Sequence, residues 1–315
     1  MDKLIFIVGV GRSGTSLLQS MLSSHSHINF TPESHFIKNY MSSDKKIKRL
    51  QNKGINNLER LFLNDKNILK SNIDINLILS KYKQKNNFEL NKVFENFQKL
   101  HLNVMNKKIG GEKDARNIDY LFIIKKYFPN SKVILIYRDP RDVVLSKSKA
   151  NWSSHRPNWL HSLIGNSQLC KGLIDGPRLF KKNFTKIKYE DLLENPKKEL
   201  EKICDFINIK FEDRMLEFQQ TAKKLFVKKD EMQFKYNNFK PLIKNNNNKW
   251  VNNLTSNEIW FIQSTNFKLF KKLNYDIHRN DSFNLFHFIF TPFLIMISIL
   301  FNLLYVFVLK FISFR

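Results

Sequence analysis

Cysteine is scarce in this sequence of 315 residues. Cys170 and Cys204 are the only two cysteines, and they form no CxxC pair. The histidines show no metal-site spacing either, apart from His25 and His27 with one residue between them. A disulfide framework or a structural zinc site needs several ligands at set spacings. The sequence therefore predicts neither, and we expect no bound metal.

Acidic residues are also few. The chain has 28 Asp and Glu residues against 53 Lys and Arg residues, which gives a formal net charge of +25. The lysines are scattered along the chain, whereas a nucleic-acid-binding tail concentrates its basic residues in one block. We interpret the excess as a basic surface suited to anionic substrates or anionic lipid, and we predict no nucleic-acid partner.

Long apolar runs are missing at the start of the chain and present near its end. The apolar run at residues 4–8 is too short for a signal peptide. Residues 283–309 contain no Asp, Glu, Lys or Arg, and a helix of that length covers a hydrocarbon layer of about 30 Å. We predict a single transmembrane anchor there. A re-entrant or surface-lying helix stays open, because Pro292 and several polar residues interrupt the run.

Basic residues predict the orientation of this anchor. More of them lie just before the apolar segment than after it, which favours a cytoplasmic location for the larger N-terminal part. The predicted organisation is a catalytic or binding domain over residues 1–279, followed by the anchor at residues 283–309.

The strongest local pattern is IFIVGVGRSGTSLLQ at residues 5–19. It is typical of a buried parallel strand, a glycine-rich turn and an amphipathic helix. Gly9, Gly11 and Gly14 allow a sharp turn, and the helix that begins at Thr15 directs its unpaired backbone N–H groups at that turn. We predict an anion-binding loop. The alternative is a turn of the same composition that binds no ligand.

This loop lacks the lysine of a nucleotide triphosphatase. Thr15 stands where the P-loop pattern needs Lys to reach the outer phosphates, which argues against ATP or GTP hydrolysis. Arg12, inside the loop, supplies a positive side chain instead. A degenerate P-loop kinase or triphosphatase remains an alternative, although we find no convincing acidic residue to hold magnesium.

The form GVGRSGTSLL resembles the 5′-phosphosulfate loop of sulfotransferases that use 3′-phosphoadenylyl sulfate (PAPS). The resemblance is to the branch whose loop reads PRSGTT, which includes bacterial and tyrosylprotein sulfotransferases. Val10 and Gly11 replace the usual residue pair that ends in proline. The resemblance implies that Arg12 also stabilises the leaving oxygen. It further implies that the 5′ side of the donor is bound by Gly11, Arg12, Ser13, Gly14, Thr15 and Ser16.

A second pattern, VILIYRDPRDVVLSKSK at residues 133–149, begins with another unbroken apolar strand. Ligands of parallel sheets bind beyond the carboxyl ends of the strands, so Arg138 is expected on the same edge as the loop. The stretch resembles the 3′-phosphate element of the same family, which implies phosphate binding by Arg138 and Ser146. The alternative is that Arg138 only pairs with Asp139 or Asp142 at a helix start.

A candidate general base follows the predicted strand at residues 28–30. Glu33 lies just beyond that strand, where a carboxylate can accept the proton of an attacking hydroxyl. In the tyrosylprotein branch a Glu at this place is the base, and other sulfotransferases use His, so His35 is the second candidate. A purely structural role for Glu33 at a helix start after Pro32 is the remaining alternative.

Three further residues depend mainly on the resemblance. GEKDAR at residues 111–116 is similar to the family's GEKTP, which implies that Lys113 lies near the acceptor and sulfate, unless it is an ordinary surface lysine. YEDLLENP at residues 189–196 is similar to a third family element, which implies that Tyr189 lies against the adenine, unless it belongs to the core. Lys249, beside Trp250, corresponds to a late nucleotide contact.

Together these patterns predict an α/β fold, a P-loop-like parallel sheet flanked by helices, with a helical insertion and a C-terminal transmembrane helix. We predict three helices in the insertion at residues 37–106, helical structure over residues 152–183, and a capped helix from Thr255 to about Leu273. The predicted function is sulfuryl transfer from PAPS to a hydroxyl acceptor, without metal. A non-catalytic basic membrane protein is the alternative outside the enzymes, and the acceptor is left open between glycan, lipid-linked glycan, peptide and small molecule.

Overall fold

One parallel β-sheet organises the chain. The computed structural model describes residues 4–83, 88–226, 235–278 and 285–314. The sheet has the strand order β2-β3-β1-β4-β5, and all neighbouring strands are parallel. The α/β fold with a parallel sheet is thereby confirmed. The strands are β1 (Leu4–Gly9), β2 (Ile28–Thr31), β3 (Ile109–Lys113), β4 (Lys132–Tyr137) and β5 (Phe184–Lys188).

The central strand β1 is apolar throughout because both faces of the sheet are covered. Ile5 and Ile7 belong to one hydrophobic cluster, and Phe6 and Val8 belong to the cluster on the other side. The Phe6 ring lies 6.1 Å from the ring of Phe94, centroid to centroid. An unbroken apolar strand of this kind is typical of a sheet that lies between two layers of helices.

Sixteen α-helices lie within the described residues, and we number them α1 to α16 in chain order. They are Thr15–Ser23, Phe36–Tyr40, Asp44–Asn52, Ile55–Leu63, Lys66–Leu69, Ile75–Lys83, Leu90–Val104, Leu121–Tyr127, Pro140–Ser148, Asn158–Phe180, Tyr189–Glu194, Pro196–Ile207, Gln219–Leu225, Ser256–Thr265, Phe267–Leu273 and Leu285–Phe314. Short 3-10 helices occur at Ala115–Tyr120, Lys181–Asn183, Asp213–Leu216, Tyr236–Phe239 and Lys249–Asn252.

The insertion contains more helices than the sequence predicts. Six helices, α2 to α7, lie between β2 and β3 where we expected three. The side chains of Ser43 and Asp65 accept hydrogen bonds from backbone N–H groups at the starts of α3 and α5, and Gly54 adopts a positive φ of 80° between α3 and α4. Phe36 and Phe94 join the hydrophobic cluster of the sheet. The insertion therefore shares the core of the sheet.

Other helix boundaries also differ from the prediction. The helix expected over residues 152–183 runs only from Asn158 to Phe180, because it begins after Pro157. The helix that was expected to continue to Leu273 is divided at Asn266, although its predicted capping box at Thr255 is present. The predicted boundary between residues 279 and 283 lies outside the described residues.

The C-terminal helix α16 packs against α10 and α14. Within the described residues, Leu285–Phe311 is the one stretch long and apolar enough to cross a membrane, judged by length and composition, with a mean hydropathy of 2.4. It is a candidate membrane anchor.

Candidate active site

A cavity of about 370 Å³ opens at the carboxyl edge of the sheet. Its walls come from the loop after β1, the residues after β4, the start of α11 and a late polar segment. Among its lining residues are eight that the sequence predicts as nucleotide contacts: Arg12, Gly14, Thr15, Ser16, Arg138, Ser146, Tyr189 and Lys249. A volume of this size is within the usual range for small-molecule sites.

The loop after β1 bends at residues that differ in part from those expected. Gly14 has a left-handed φ of 99°, and Arg12 has a φ of 77°, whereas Gly9 and Gly11 do not adopt positive φ. Gly9 matters for packing instead, because a Cβ there would lie 2.5 Å from the carbonyl oxygen of Ile136. A non-glycine residue in the left-handed region costs free energy, and such strain is typical of functional sites.

Arg12 connects the loop to helix α9. Its Nε donates a hydrogen bond to the Oγ of Ser146 at 3.0 Å. Burial lowers the pKa of Arg12, and the nearby charge of Arg138 lowers it further. Two neighbouring guanidinium groups therefore border the same cavity, and an anion placed there would offset their mutual repulsion.

Arg138 is held from several sides. Its Nη2 donates to the carbonyl oxygen of Asn246 at 2.8 Å and lies 3.2 Å from Asp142 Oδ2. Its guanidinium carbon lies 4.5 Å from the ring centroid of Tyr189. The Nε is buried and has no hydrogen-bond partner among the described residues. Arg138 thus makes the structural pair with Asp142 that we considered and also lines the cavity.

Asp142 fixes the late polar segment over the cavity. Its carboxylate accepts hydrogen bonds from the backbone N–H groups of Asn248 at 2.8 Å and Trp250 at 3.2 Å. The Nδ2 of Asn246 donates to the hydroxyl of Tyr189 at 2.8 Å. These bonds hold residues 246–250 against α9 and α11, with Lys249 at the cavity wall.

Glu33 and Lys113 form an ion pair beside the loop. Lys113 Nζ lies 3.1 Å from Glu33 Oε2 and 3.4 Å from the Oγ of Ser16, which itself lines the cavity. Lys113 is 1% exposed, so the alternative of an ordinary surface lysine is wrong. Burial raises the pKa of Glu33, but the charges of Lys113, Lys235 and His35 outweigh burial and bring it to about 2. Glu33 is therefore ionised at neutral pH.

His35 lies next to this pair and is held by Asp114. Its Nδ1 lies 2.7 Å from Asp114 Oδ2, and its backbone has a left-handed φ of 53°. Burial lowers the pKa of His35, but its hydrogen bond to Asp114 and the surrounding carboxylates raise the pKa more. Glu33, His35 and Asp114 bring possible ligand atoms within 4.8 Å of one another. Because Lys113 already balances Glu33, we keep the prediction that no metal is required.

Glu112, in β3, links this strand to the turn that follows β2. It is fully buried and accepts hydrogen bonds from Ser34 Oγ, from Phe36 N at 3.3 Å and from Asn117 Nδ2 at 2.9 Å. Burial and the charge of Asp114 raise the pKa of Glu112 to about 7. Its carboxylate thereby ties the turn that bears Glu33 to the strand that ends in Lys113.

The sequence matches one family model, described as the sulfotransferase family, over residues 5–213. The chain belongs to the sulfotransferase family. This match covers β1 to β5 and includes the loop after β1, Glu33, Lys113, Arg138 and Tyr189.

Individual relatives of this chain are distant. An uncharacterized protein of Aquifex aeolicus is 24% identical over 228 residues, which are 70% of this chain and 27% of that protein. The protein-tyrosine sulfotransferase A of Caenorhabditis elegans is 23% identical over 239 residues, 70% of this chain and 53% of that protein. The chain thus spans only about a quarter to a half of the length of these relatives.

Two solved structures share its fold. The sulfotransferase domain of the olefin synthase from Synechococcus PCC 7002 is 19% identical, with a TM-score of 0.60, and the similarity covers 88% of this chain and 96% of that domain. The sulfotransferase domain from the curacin biosynthetic pathway is also 19% identical, with a TM-score of 0.60. The similarity covers 88% of this chain and 99% of that domain. At this identity the comparison establishes the fold alone.

Some predicted residues lie beside the cavity instead of in its wall. Gly11, Ser13, Glu33 and Lys113 are not among the lining residues. Lys113 contacts the lining residue Ser16, and Glu33 pairs with Lys113. Ser13 Oγ is buried without a hydrogen-bond partner among the described residues.

Several residues that line the cavity were not predicted from the sequence. These are Leu17, Asp142, Leu145, Lys149, Ala150, Lys235, Asn237, Asn238 and Asn246. Asp142 could have been found, because it lies in the RDPRD turn that carries Arg138. The asparagines could not, because their polar surroundings are equally typical of a solvated loop.

We expect replacement of Gly14 to destabilise the fold. A Cβ at Gly14 would lie 2.4 Å from the Tyr189 ring, and φ is 99° there. Gly14→Ala should lower the free energy of unfolding by about 3 kcal/mol, measured by denaturant titration. Gly11→Ala is the matched control, since its Cβ would meet only Trp152 at 3.8 Å, and it should change stability by less than about 1 kcal/mol. Equal effects of the two variants would contradict the geometry of the loop.

Glu112 should make stability depend on pH. Its pKa rises from 4.5 to about 7 on folding, so the folded state binds the proton more tightly, and stability should fall as pH rises between these values. We expect Glu112→Gln to flatten this part of the profile by on the order of 2 kcal/mol. Asn117 can reverse its amide toward the new side chain, because its Oδ1 has no partner among the described residues.

Chemical denaturation from about pH 5 to about pH 8 measures this difference. Glu194→Gln, at an exposed carboxylate, is the control and should follow the wild type. If wild type and Glu112→Gln changed in parallel, the proposed proton uptake by Glu112 would be refuted.

Proposed function

We propose that this sulfotransferase moves a sulfuryl group from PAPS to the hydroxyl of an acceptor. The observation that carries the proposal is a single cavity bordered by Arg12 and Arg138, with the pair of Glu33 and Lys113 at its side. The family resemblance supplies the donor, and the cationic walls suit a ligand with phosphates at two ends. The buried Nε of Arg138 offers a further donor to such a ligand.

The residues divide into two groups for the donor. The backbone N–H groups and side chains of residues 11–16 would bind the 5′ phosphosulfate at the start of α1. Arg138 and Ser146 would bind the 3′-phosphate, and Tyr189, whose ring already stacks on Arg138, would lie beside the adenine. Lys249 would add a positive charge at the cavity wall.

Glu33 is proposed as the general base. It accepts the proton of the acceptor hydroxyl while that oxygen forms a bond to sulfur. The bond between sulfur and the 5′-phosphate oxygen breaks, and its electron pair stays on the nucleotide. Arg12, Lys113 and the loop N–H groups stabilise this charge. No metal is required, because these groups meet the charge of the leaving phosphate.

The ion pair of Glu33 with Lys113 also affects the strength of the base. A pKa of about 2 gives an ionised carboxylate with little affinity for a proton. Lys113 also contacts Ser16, so its ammonium lies between Glu33 and the phosphosulfate loop. As negative charge develops at the loop, Lys113 is drawn away from Glu33, and the affinity of Glu33 for the proton rises.

Membrane association through the C-terminal helix is part of the proposal, with the catalytic domain on the cytoplasmic side. The basic residues before this helix favour the anionic cytoplasmic leaflet and so support that side, and activated sulfate made in the same compartment would supply the donor. A lipid-linked or surface glycan then becomes the favoured acceptor class.

We expect Glu33→Gln to abolish most transfer while donor binding remains. A radiolabelled assay from PAPS into the lipid, glycan and protein fractions of the host measures transfer, and the loss should be about a hundredfold or more. His35→Gln is the matched control, because it removes the second candidate base and leaves Glu33 in place. No transfer from PAPS by the wild type into any fraction would overturn the proposed function.

The pH profile distinguishes the two bases. Glu33, with a pKa of about 2, stays ionised throughout the neutral range, so it adds no decline of kcat/KM in mild acid. A His35 base would lose activity as pH falls through its raised pKa. A large kcat loss in His35→Gln, together with disappearance of such a decline, would transfer the role of base to His35.

Arg138 should confer preference for the 3′-phosphate. Adenosine 3′,5′-bisphosphate should raise the melting temperature of the wild type more than adenosine 5′-monophosphate does. Arg138→Ala should weaken binding of the bisphosphate by about tenfold or more and remove this preference. Arg178→Ala, at an exposed arginine outside the cavity lining, is the control. If Arg138→Ala lowered stability but kept the preference for the bisphosphate, the role of Arg138 would be limited to its structural pair with Asp142.

A further inference from the structure

The polar residues of the C-terminal helix α16 lie in one stripe. His287, Thr291, Ser298, Asn302 and Tyr305 follow one another at intervals of four, seven, four and three residues. These intervals keep their side chains on a single helix face. The same residues are at least partly buried, while their neighbours on the opposite face are exposed.

This polar stripe is bonded to the catalytic domain. Thr291 Oγ1 accepts a hydrogen bond from Trp260 Nε1 at 2.9 Å. Asn302 Oδ1 accepts from the hydroxyl of Ser167, and the hydroxyl of Tyr305 lies 3.1 Å from both carboxylate oxygens of Asp119. His287 also contacts α14, through Asn257 at 3.0 Å. Polar partners thus occur from one end of the helix to the other.

The opposite face is apolar along the same length. Fifteen large apolar side chains between Leu285 and Phe311 are exposed, among them Phe288 at 80% and Phe307 at 64%. A helix of 30 residues is about 45 Å long. A continuous apolar face of this extent is not left in water by a soluble monomer and marks a contact surface.

We propose that α16 lies along the membrane surface, with its polar stripe bound to the domain and its apolar face inserted in one leaflet. A helix that crossed the bilayer would lose the bonds to Trp260, Ser167 and Asp119 and would carry the polar stripe into hydrocarbon. In the docked position the polar stripe keeps its hydrogen bonds to the domain, and the apolar face is buried in lipid. This arrangement is the surface-lying alternative to the predicted transmembrane anchor.

The charge of the protein favours anionic lipid as the occupant of this face. Helix α3 packs against α16 and exposes Lys45, Lys48 and Arg49. Basic residues beside an apolar helix face bind to anionic headgroups while the apolar face enters the leaflet. Two copies that paired through α16 would instead bring together two chains of net charge +25.

Topology tests the proposal directly. A full-length chain with a C-terminal epitope tag is expressed in its host, and protease is added to vesicles of each orientation. We expect the tag and the catalytic domain to be cleaved from the same side. Cleavage of the tag from the opposite side would show that α16 crosses the membrane and would overturn the proposal.

Vesicle flotation tests the lipid-facing residues. The double variant Phe288→Asp/Phe307→Asp should bind vesicles of phosphatidylcholine with about one third phosphatidylserine about a hundredfold more weakly than the wild type. Asn302→Leu is the matched control on the other face: it should keep vesicle binding and lower the melting temperature, because the hydrogen bonds that Ser167 and Asn166 donate to Asn302 are lost. If the wild type did not bind the vesicles and formed a dimer through α16, the proposal would be overturned. The PAPS transfer assay is independent of all these outcomes.

Discussion

The shared direction of the five strands is the constraint on which the site depends. Because all five run parallel, the residues that follow each carboxyl end meet at one edge of the sheet. β1 leads to Arg12, β2 to Glu33, β3 ends in Lys113, β4 leads to Arg138 and β5 to Tyr189. Residues more than one hundred positions apart in the chain are thereby brought around a single cavity. An antiparallel neighbour would place its contribution at the opposite edge.

The same edge concentrates features that oppose folding. Arg12 and His35 adopt left-handed backbone conformations, Lys113 is buried, and Glu112 is buried beside Asp114. Strained residues and buried charges each cost free energy unless the surroundings compensate them. Here the compensation is local, through the pair of Glu33 with Lys113 and the hydrogen bonds to Glu112. The apolar residues buried on both faces of the sheet stabilise the fold and offset the remaining cost in free energy.

Much of the fold could be predicted because the informative residues are close together in sequence. Unbroken apolar runs located β1 and β4, and the motifs that follow them located Arg12 and Arg138. The number of helices in the insertion could not be predicted correctly, because single caps such as Ser43 divide patterns that look continuous. The burial of Lys113 and the contact of Asn246 with Arg138 depend on distant segments. No local pattern encodes such contacts, and the roles of these residues in transfer stay predictions.

The contacts that the protein makes with Arg138 have a consequence for ligand affinity. Its Nη2 already donates a hydrogen bond to the carbonyl oxygen of Asn246 and forms an ion pair with the carboxylate of Asp142. Under the proposed function, a phosphate that binds this nitrogen would exchange with partners that the protein provides, and that part of the affinity would be only the difference between the two sets of contacts. The exchange would be reversible, because Asn246 and Asp142 could contact the nitrogen again when the phosphate departs. If the proposed role of Arg138 holds, these partners would weaken the binding of the spent nucleotide and ease its replacement by a fresh one.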